Sequence, residues 1–456
     1  MKKLIIALTV LVGIALGVGT ASAAASITTG NNKTSPPPVG GASGAIVVAW
    51  NQQLLQIVLT PGAQPATLHP TRSFAILQAA IYDSVVSITK DAPSYLFSVP
   101  ASRGARVDAA AAEAGHDSLV ALYPNLDSKL KSAVDQLLAS ELAAIPDSVS
   151  KQNGVKVGQG VAAKLLADRA NDGSAATPPS FVAGSKPGDF RPVPPTFAAP
   201  VFTGWANVTP FVLDSAKQFR PETQAAVTSA DYANALSEVK SLGQNTSTMR
   251  TADETVAAKF WAGPIWNTWN EIADNAALAH NTNLETTARL FAVLNLTFAD
   301  GVIAFYDAKY HYQIWRPITA IRAGDTIGNP AIIGDPTWTP LATTPADPSY
   351  PGAHSVISSA GATVLSSFFG KDDQIQVTSD VVKGTVRTFD SYQAVATEAG
   401  LSRIFAGVHT RLDHESGLKL GRSVAQFVLG ESKSSDFGVE SKSSDPSTAT
   451  RVTGGY

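Results

Sequence analysis

Three short stretches in the second half of the chain gather side chains able to hold an anion and move a proton. In "DAKYHYQIWRPITAIR", Lys309 and Arg316 stand seven residues apart. On a continuous helix that spacing places both on one face, two turns apart, and Pro317 would end or kink the helix just after them. Tyr310, Tyr312, Ile314 and Trp315 surround the two cations, so part of the segment must be buried. In "DPSYPGAHSVISSAGATVLSSFF", residues 348–352 read as a turn, and a helix of small residues starts near Ala353. This puts His354 beside the unpaired N–H groups of a helix start, an end that attracts anions. In "SRIFAGVHTRLDHESG", Arg403 and His409 are six apart, and Gly407 between them permits a break that brings both to one site. His409 and Asp413 are four apart. On a helix beginning near His409, the carboxylate can hold one imidazole nitrogen and leave the other free as ligand or nucleophile.

Each stretch has an ordinary reading too. Two cations on one stripe commonly make a solvated face, a histidine at a helix start is commonly a cap, and Arg403, Asp413 and Glu415 could be surface pairs of little worth. A zinc set of His409, Asp413 and His414 fits poorly, because the histidines are five apart and no glutamate lies between them as general base. The G-x-S-x-G pattern of a serine hydrolase is absent near these histidines. Taken together, three cations, a helix start and two imidazoles make a receptor for a multiply charged tetrahedral oxyanion such as phosphate or vanadate.

The elements that must position these groups read as mainly helical. With 456 residues, 44% apolar and 16% charged, the chain can bury the core of one large domain or two ordinary ones, and a net charge of −3 gives no electrostatic footprint for nucleic acid or an anionic membrane. Residues 1–23 read as a secretory signal peptide, with Lys2 and Lys3, an apolar run from Leu4 to Val18, and Ala21-Ser22-Ala23 as cleavage site. A secreted or periplasmic protein is therefore expected, and without cysteine it must be held by its core alone. Residues 24–44 and the Ser-rich tail 431–456 are expected to be disordered. Three- and four-residue apolar spacing marks an N-terminal helical part over 45–222 and a C-terminal one over 223–430 that carries the oxyanion site. Within the first, residues 176–222 are too proline-rich for regular structure, and Phe181, Phe190, Phe197, Phe202 and Trp205 predict an irregular segment packed over the helices. No stretch after the leader reaches the roughly 20 uninterrupted apolar residues of a membrane span.

Lys-x6-Arg-Pro at 309–317, Tyr-Pro-Gly-Ala-His at 350–354 and Ser-Arg-x5-His-x3-Asp at 402–413 resemble the three-part signature of the vanadium-dependent haloperoxidases and type 2 phosphatidic acid phosphatases. "SRIFAGVH" is close to the fungal chloroperoxidase form, and "PGDFRPVPP", "TADETVAAKFW" and "RLFAVLNLTFADGVIAFYDAKY" extend the likeness to secreted bacterial haloperoxidases over roughly residues 45–430. The resemblance implies an all-α, compact helical bundle and a vanadate cofactor, with hydrogen peroxide and halide as substrates, or a phosphate ester if the pocket serves an acid phosphatase. A non-catalytic oxyanion-binding relative and a homo-oligomer are also compatible with it. It further implies that His409 bonds vanadium or attacks phosphorus, that Asp413 orients His409, and that His354 is the acid–base group. Lys309, Arg316 and Arg403, with the backbone around Gly352 and Ala353, would bind the oxyanion oxygens. The chain departs from the family pattern twice. Gly352 lacks the usual serine hydroxyl, which Ser355 could replace only from a rotated helix start, and Asp347 stands where an aromatic or histidine is usual. An ionised Asp347 near the site would repel halide.

Overall fold

A computed structural model describes residues 43–434 and Phe437. The expected leader and most of both expected disordered segments lie outside the described residues. Thirteen α-helices, two short 3₁₀ helices (Trp205–Asn207 and Gly324–Thr326) and a two-stranded antiparallel sheet make up the regular structure there. The helices are α1 (Ala45–Leu59), α2 (Pro70–Thr89), α3 (Val107–Leu122), α4 (Ser128–Ala143), α5 (Val149–Arg169), α6 (Ala230–Leu242), α7 (Ala252–Phe260), α8 (Ile265–Ala279) and α9 (Leu284–Tyr312). Next come α10 (Pro317–Arg322), α11 (Ala353–Phe369), the hairpin of β1 (Ile375–Thr378) and β2 (Val386–Phe389), α12 (Tyr392–Phe405) and α13 (Arg411–Glu431). The expected all-α class holds.

At the centre is α9, buried on every face over residues 290–306, mostly apolar there, and packed against α2, α11, α13 and α1. It is long and apolar enough to cross a membrane, contrary to expectation, but it is enclosed by the protein's own helices. A helix hydrophobic all round is what the middle of a large helical core requires. One continuous apolar cluster joins Trp50, Phe74 and Leu165 from the N-terminal part to Trp269, Phe298, Val356 and Val428 from the C-terminal part. Close helix approach depends on small residues. A Cβ at Gly421 would lie 2.0 Å from the Val356 carbonyl oxygen, so only glycine lets α13 lie against α11 there. At the chain's far end Ser432 and Phe437 are buried, the latter with its ring 5.3 Å from that of Tyr95, so ordered packing reaches beyond residue 431.

The proline-rich segment lies on the helical body as expected, with Phe190 and Trp205 buried. Phe197 is the exception, 62% exposed with φ 48°, so the expectation of a wholly packed aromatic set needs correcting. Asp300, buried in α9, accepts hydrogen bonds from the N–H groups of Phe211, Val212 and Leu213 at 2.6, 2.7 and 2.9 Å and ties the segment's end to the central helix. Val201 N–H donates to the Ala346 carbonyl and Phe190 N–H to that of Gln313, which lays the same segment across the loops that carry Arg316 and Asp347.

Candidate oxyanion site

Five helix ends lie around the predicted residues. Lys309 lies in the last turn of α9, fully buried. The helix then stops at Tyr312, where Gln313 turns into the left-handed region with φ 49°. Arg316 therefore does not share a helix face with Lys309, as the seven-residue spacing had suggested. It is the N-cap of α10, and Pro317 opens that helix instead of ending the previous one. The two side chains meet nonetheless, on the carboxylate of Asp347. Lys309 Nζ is 3.1 Å from Asp347 Oδ2, and Arg316 Nη2 is 2.5 Å from Oδ1. Lys309 also donates to the carbonyls of Pro348 and Ser349. Burial alone would raise the Asp347 carboxyl, but the charges of Lys309 and Arg316 outweigh it and hold the group below the usual carboxylate range. Asp347 is thus an ion-paired group bound to the cations, not the free repelling charge that its sequence position suggested.

Gly407, with φ 79°, breaks the chain between α12 and α13. It leaves Arg403 in the last turn of α12 and His409 just outside α13, whose N-cap is Thr410. Asp413 is the third residue of α13 and closes a capping box with Thr410. Its Oδ2 lies 3.3 Å from His409 Nδ1 and accepts from the Ser349 hydroxyl at 2.7 Å and from Thr410 N–H at 2.7 Å. Gln224 Nε2 donates to Oδ1 at 2.9 Å. Since a carboxylate can only accept, His409 carries its proton on Nδ1 and keeps the Nε2 lone pair, which faces Arg316 Nη1 at 3.2 Å. Burial, reinforced by Arg316, pushes the His409 pKa down to about 3, so the ring is neutral at pH 7.

Arg403 is 5% exposed, and its Nε and Nη1 have no hydrogen-bond partner among the described residues. Burial and the charge of Arg316 lower its pKa to about 10. His354, second residue of α11, places Nε2 2.9 Å from the Trp261 carbonyl oxygen. That contact requires an Nε2–H tautomer and leaves Nδ1 as an acceptor. Burial and Arg403 hold the ring well below the ordinary histidine range.

One expectation near the start of α11 needs correction, and the condition set for Ser355 is not met. Gly352 cannot serve as a backbone donor, because its N–H is committed to the Asp413 carbonyl at 2.9 Å. Ser355 does not replace the missing hydroxyl, since its Oγ pairs with His414 Nδ1 at 2.9 Å. Ala353 N–H, at the first position of α11, remains the donor at that helix start. Among the described residues no group of three or more His, Cys, Asp or Glu is placed to hold a metal ion. Sequence reasoning missed Ser349 and Gln224. Ser349 was visible inside the turn before His354, whereas Gln224 arrives on an extended stretch with no spacing relation to the site.

A neutral imidazole oriented by a carboxylate, set among buried cations whose donors exceed their acceptors, defines a helical oxyanion-binding protein. Residues 289–435 match the VCPO second helical-bundle domain. Vanadium chloroperoxidase of Curvularia inaequalis is 24% identical over 230 residues, a stretch spanning 37% of this chain and 37% of the relative's length. The structure is similar to a bacterial vanadium-dependent iodoperoxidase, with TM-score 0.71 and 26% identity over 85% of this chain and 95% of the other. A holo-type bacterial vanadium-dependent chloroperoxidase shares the fold, with TM-score 0.63 and 16% identity over 86% and 99% of the two chains. This chain is a relative of the vanadium-dependent haloperoxidases.

Proposed function

We propose that this protein is an exported vanadate-dependent haloperoxidase, oxidising a halide with hydrogen peroxide. The observation that carries the reading is Arg403, a buried guanidinium with two nitrogens unpartnered among the described residues, beside two further buried cations and the unprotonated Nε2 of His409, which faces Arg316. Unpaired donors at such depth cost roughly 1–3 kcal/mol each, and an anionic guest would relieve that cost. The donor set suits vanadate: Arg403, Lys309, Arg316 and Ala353 N–H would hold its oxygens, and His409 Nε2 would bind the vanadium. When bound, vanadate would supply a Lewis-acidic centre that activates peroxide toward halide.

The protein's own part follows from the geometry. Asp413 fixes the His409 tautomer and keeps Nε2 available, while Ser349, Thr410 and Gln224 fix Asp413. His354 can accept a proton at Nδ1, because its other nitrogen is occupied by the Trp261 carbonyl. The resulting imidazolium, unfavourable beside Arg403, would return the proton readily.

The test is iodide and bromide oxidation by peroxide with purified protein, with and without orthovanadate, alongside p-nitrophenyl phosphate hydrolysis without vanadate. Vanadate-dependent halide oxidation is expected. Phosphate ester turnover that vanadate inhibits, with no halide oxidation, would make the protein an acid phosphatase with His409 as nucleophile. Inactivity in both would leave a binding protein.

A further inference from the structure

Lys309 and Arg316 already hold an anion, and it belongs to the protein. Lys309 has three protons, and they go to Asp347 Oδ2, the Pro348 carbonyl and the Ser349 carbonyl. Arg316 spends Nε on the Asp347 carbonyl, Nη1 on the Val408 carbonyl and His409 Nε2, and Nη2 on Asp347 Oδ1. Unpaired donors remain on Arg403. A guest that needs all three cations cannot be served while the Asp347 carboxylate sits on two of them.

The two buried carboxylates of the site are held very differently. Asp413 accepts from Ser349, Thr410 N–H and Gln224 and faces His409. Among the described residues the Asp347 carboxylate is bonded only to Lys309 and Arg316, and no backbone N–H, hydroxyl or amide fixes it. Its backbone, by contrast, is anchored. Arg316 Nε donates to the Asp347 carbonyl at 2.7 Å, Val201 N–H to Ala346, and Ser349 N–H to Ile314 at 2.8 Å. Displacing the side chain would break its two ion pairs and none of these backbone bonds.

We propose that Asp347 is an internal competitor for the oxyanion receptor: its carboxylate occupies Lys309 and Arg316 until a tetrahedral oxyanion displaces it, and so sets the affinity of the site. This rests on the oxyanion-binding reading given above. A purely structural ion pair would instead stay in place when the guest arrives.

Isothermal titration of orthovanadate, and separately of inorganic phosphate, into wild type and Asp347→Asn tests this. Removing the competitor should tighten vanadate binding at least tenfold, with phosphate moving the same way. Wild-type binding with equal or weaker binding by the variant overturns the proposal and leaves the proposed function standing, whereas binding by neither protein overturns both. Should the variant not fold, a crystal structure of wild type with vanadate decides. Asp347 Oδ1 is expected beyond hydrogen-bond reach of Arg316 Nη2, and a carboxylate still on both cations refutes displacement.

Discussion

Replacing Arg403 by methionine should make the guest-free protein more stable, the reverse of what removing a buried arginine usually does. The displacement of its pKa from 12.5 to about 10 corresponds to about 3 kcal/mol of unfavourable burial and repulsion. Two unmade hydrogen bonds, at Nε and Nη1, account for a similar sum at roughly 1–3 kcal/mol each. Attraction to Asp347 offsets part of this, and methionine keeps much of the aliphatic packing. We expect a net gain of about 1–2 kcal/mol, or roughly 1–2 °C in melting temperature for a chain of this size. Arg169 is the control. It is equally buried but donates to Asp172, Thr209 and Pro210, so Arg169→Met should lose about 3–5 kcal/mol. Calorimetry with and without orthovanadate reads both effects at once. Vanadate should raise the wild-type melting temperature and leave Arg403→Met unmoved, because two charge-assisted bonds are worth roughly 3–6 kcal/mol. A variant that melts well below wild type without vanadate, or that vanadate still stabilises, would show that Arg403 is a structural cation and remove the central support for the site.

Three further outcomes follow from contacts outside the cations. Gln224→Leu deletes one donor to Asp413 and should lower kcat about tenfold or more, from a bond to a charged group of roughly 1.5–3 kcal/mol, with KM for halide little changed; an unaltered kcat refutes it. Asp300→Asn replaces an acceptor of three N–H groups with one that can serve only part of them, and should cost about 2–3 kcal/mol in urea denaturation without altering vanadate affinity. Burial raises Glu141 from 4.5 to about 7, with the Trp50 indole N–H acting the other way. The native chain then keeps a proton that the unfolded chain has released between those values, so stability falls as pH rises through the window. Glu141→Gln should lose that slope, the gap between the two proteins changing by about 3 kcal/mol from pH 4.5 to 8; parallel melting curves would refute it.

The helical body was readable because apolar spacing of three and four residues reports directly on which faces are buried, and α11 begins at Ala353 as the small-residue run predicted. The His409–Asp413 contact was readable for the same reason, as a local spacing beside a helix start. What was hidden depended on chain reversals and on which donors were already spent. The glutamine at 313 carries no strong signal for a left-handed turn, so the break that separates Lys309 from Arg316 did not show in the spacing. Asp347 could be flagged by position, yet its partners lie 38 and 31 residues upstream, and only the folded chain reveals that it neutralises them. Gly352 looked like a donor until the neighbouring Asp413 carbonyl was seen to accept its N–H.

A cluster of buried cations inside an apolar bundle is tolerable because the helix ends share the burden. Lys309 stands in the last turn of α9 and Arg403 in the last turn of α12, where the unpaired carbonyls of a helix favour positive charge. Asp413 stands in the first turn of α13, where unpaired N–H groups favour negative charge, and one of them, on Thr410 at the cap, is bonded to it directly. Each placement contributes about 0.3–2 kcal/mol, which is the scale of the hydrogen bonds that hold these groups. Among the described residues of the site, the guanidinium of Arg403 is the cation left with unpartnered nitrogens, two of them, despite its helix end. A fold that satisfies Lys309 three times and Asp413 four times while leaving that group open has stored, at one point, the binding free energy that a tetrahedral anion can release.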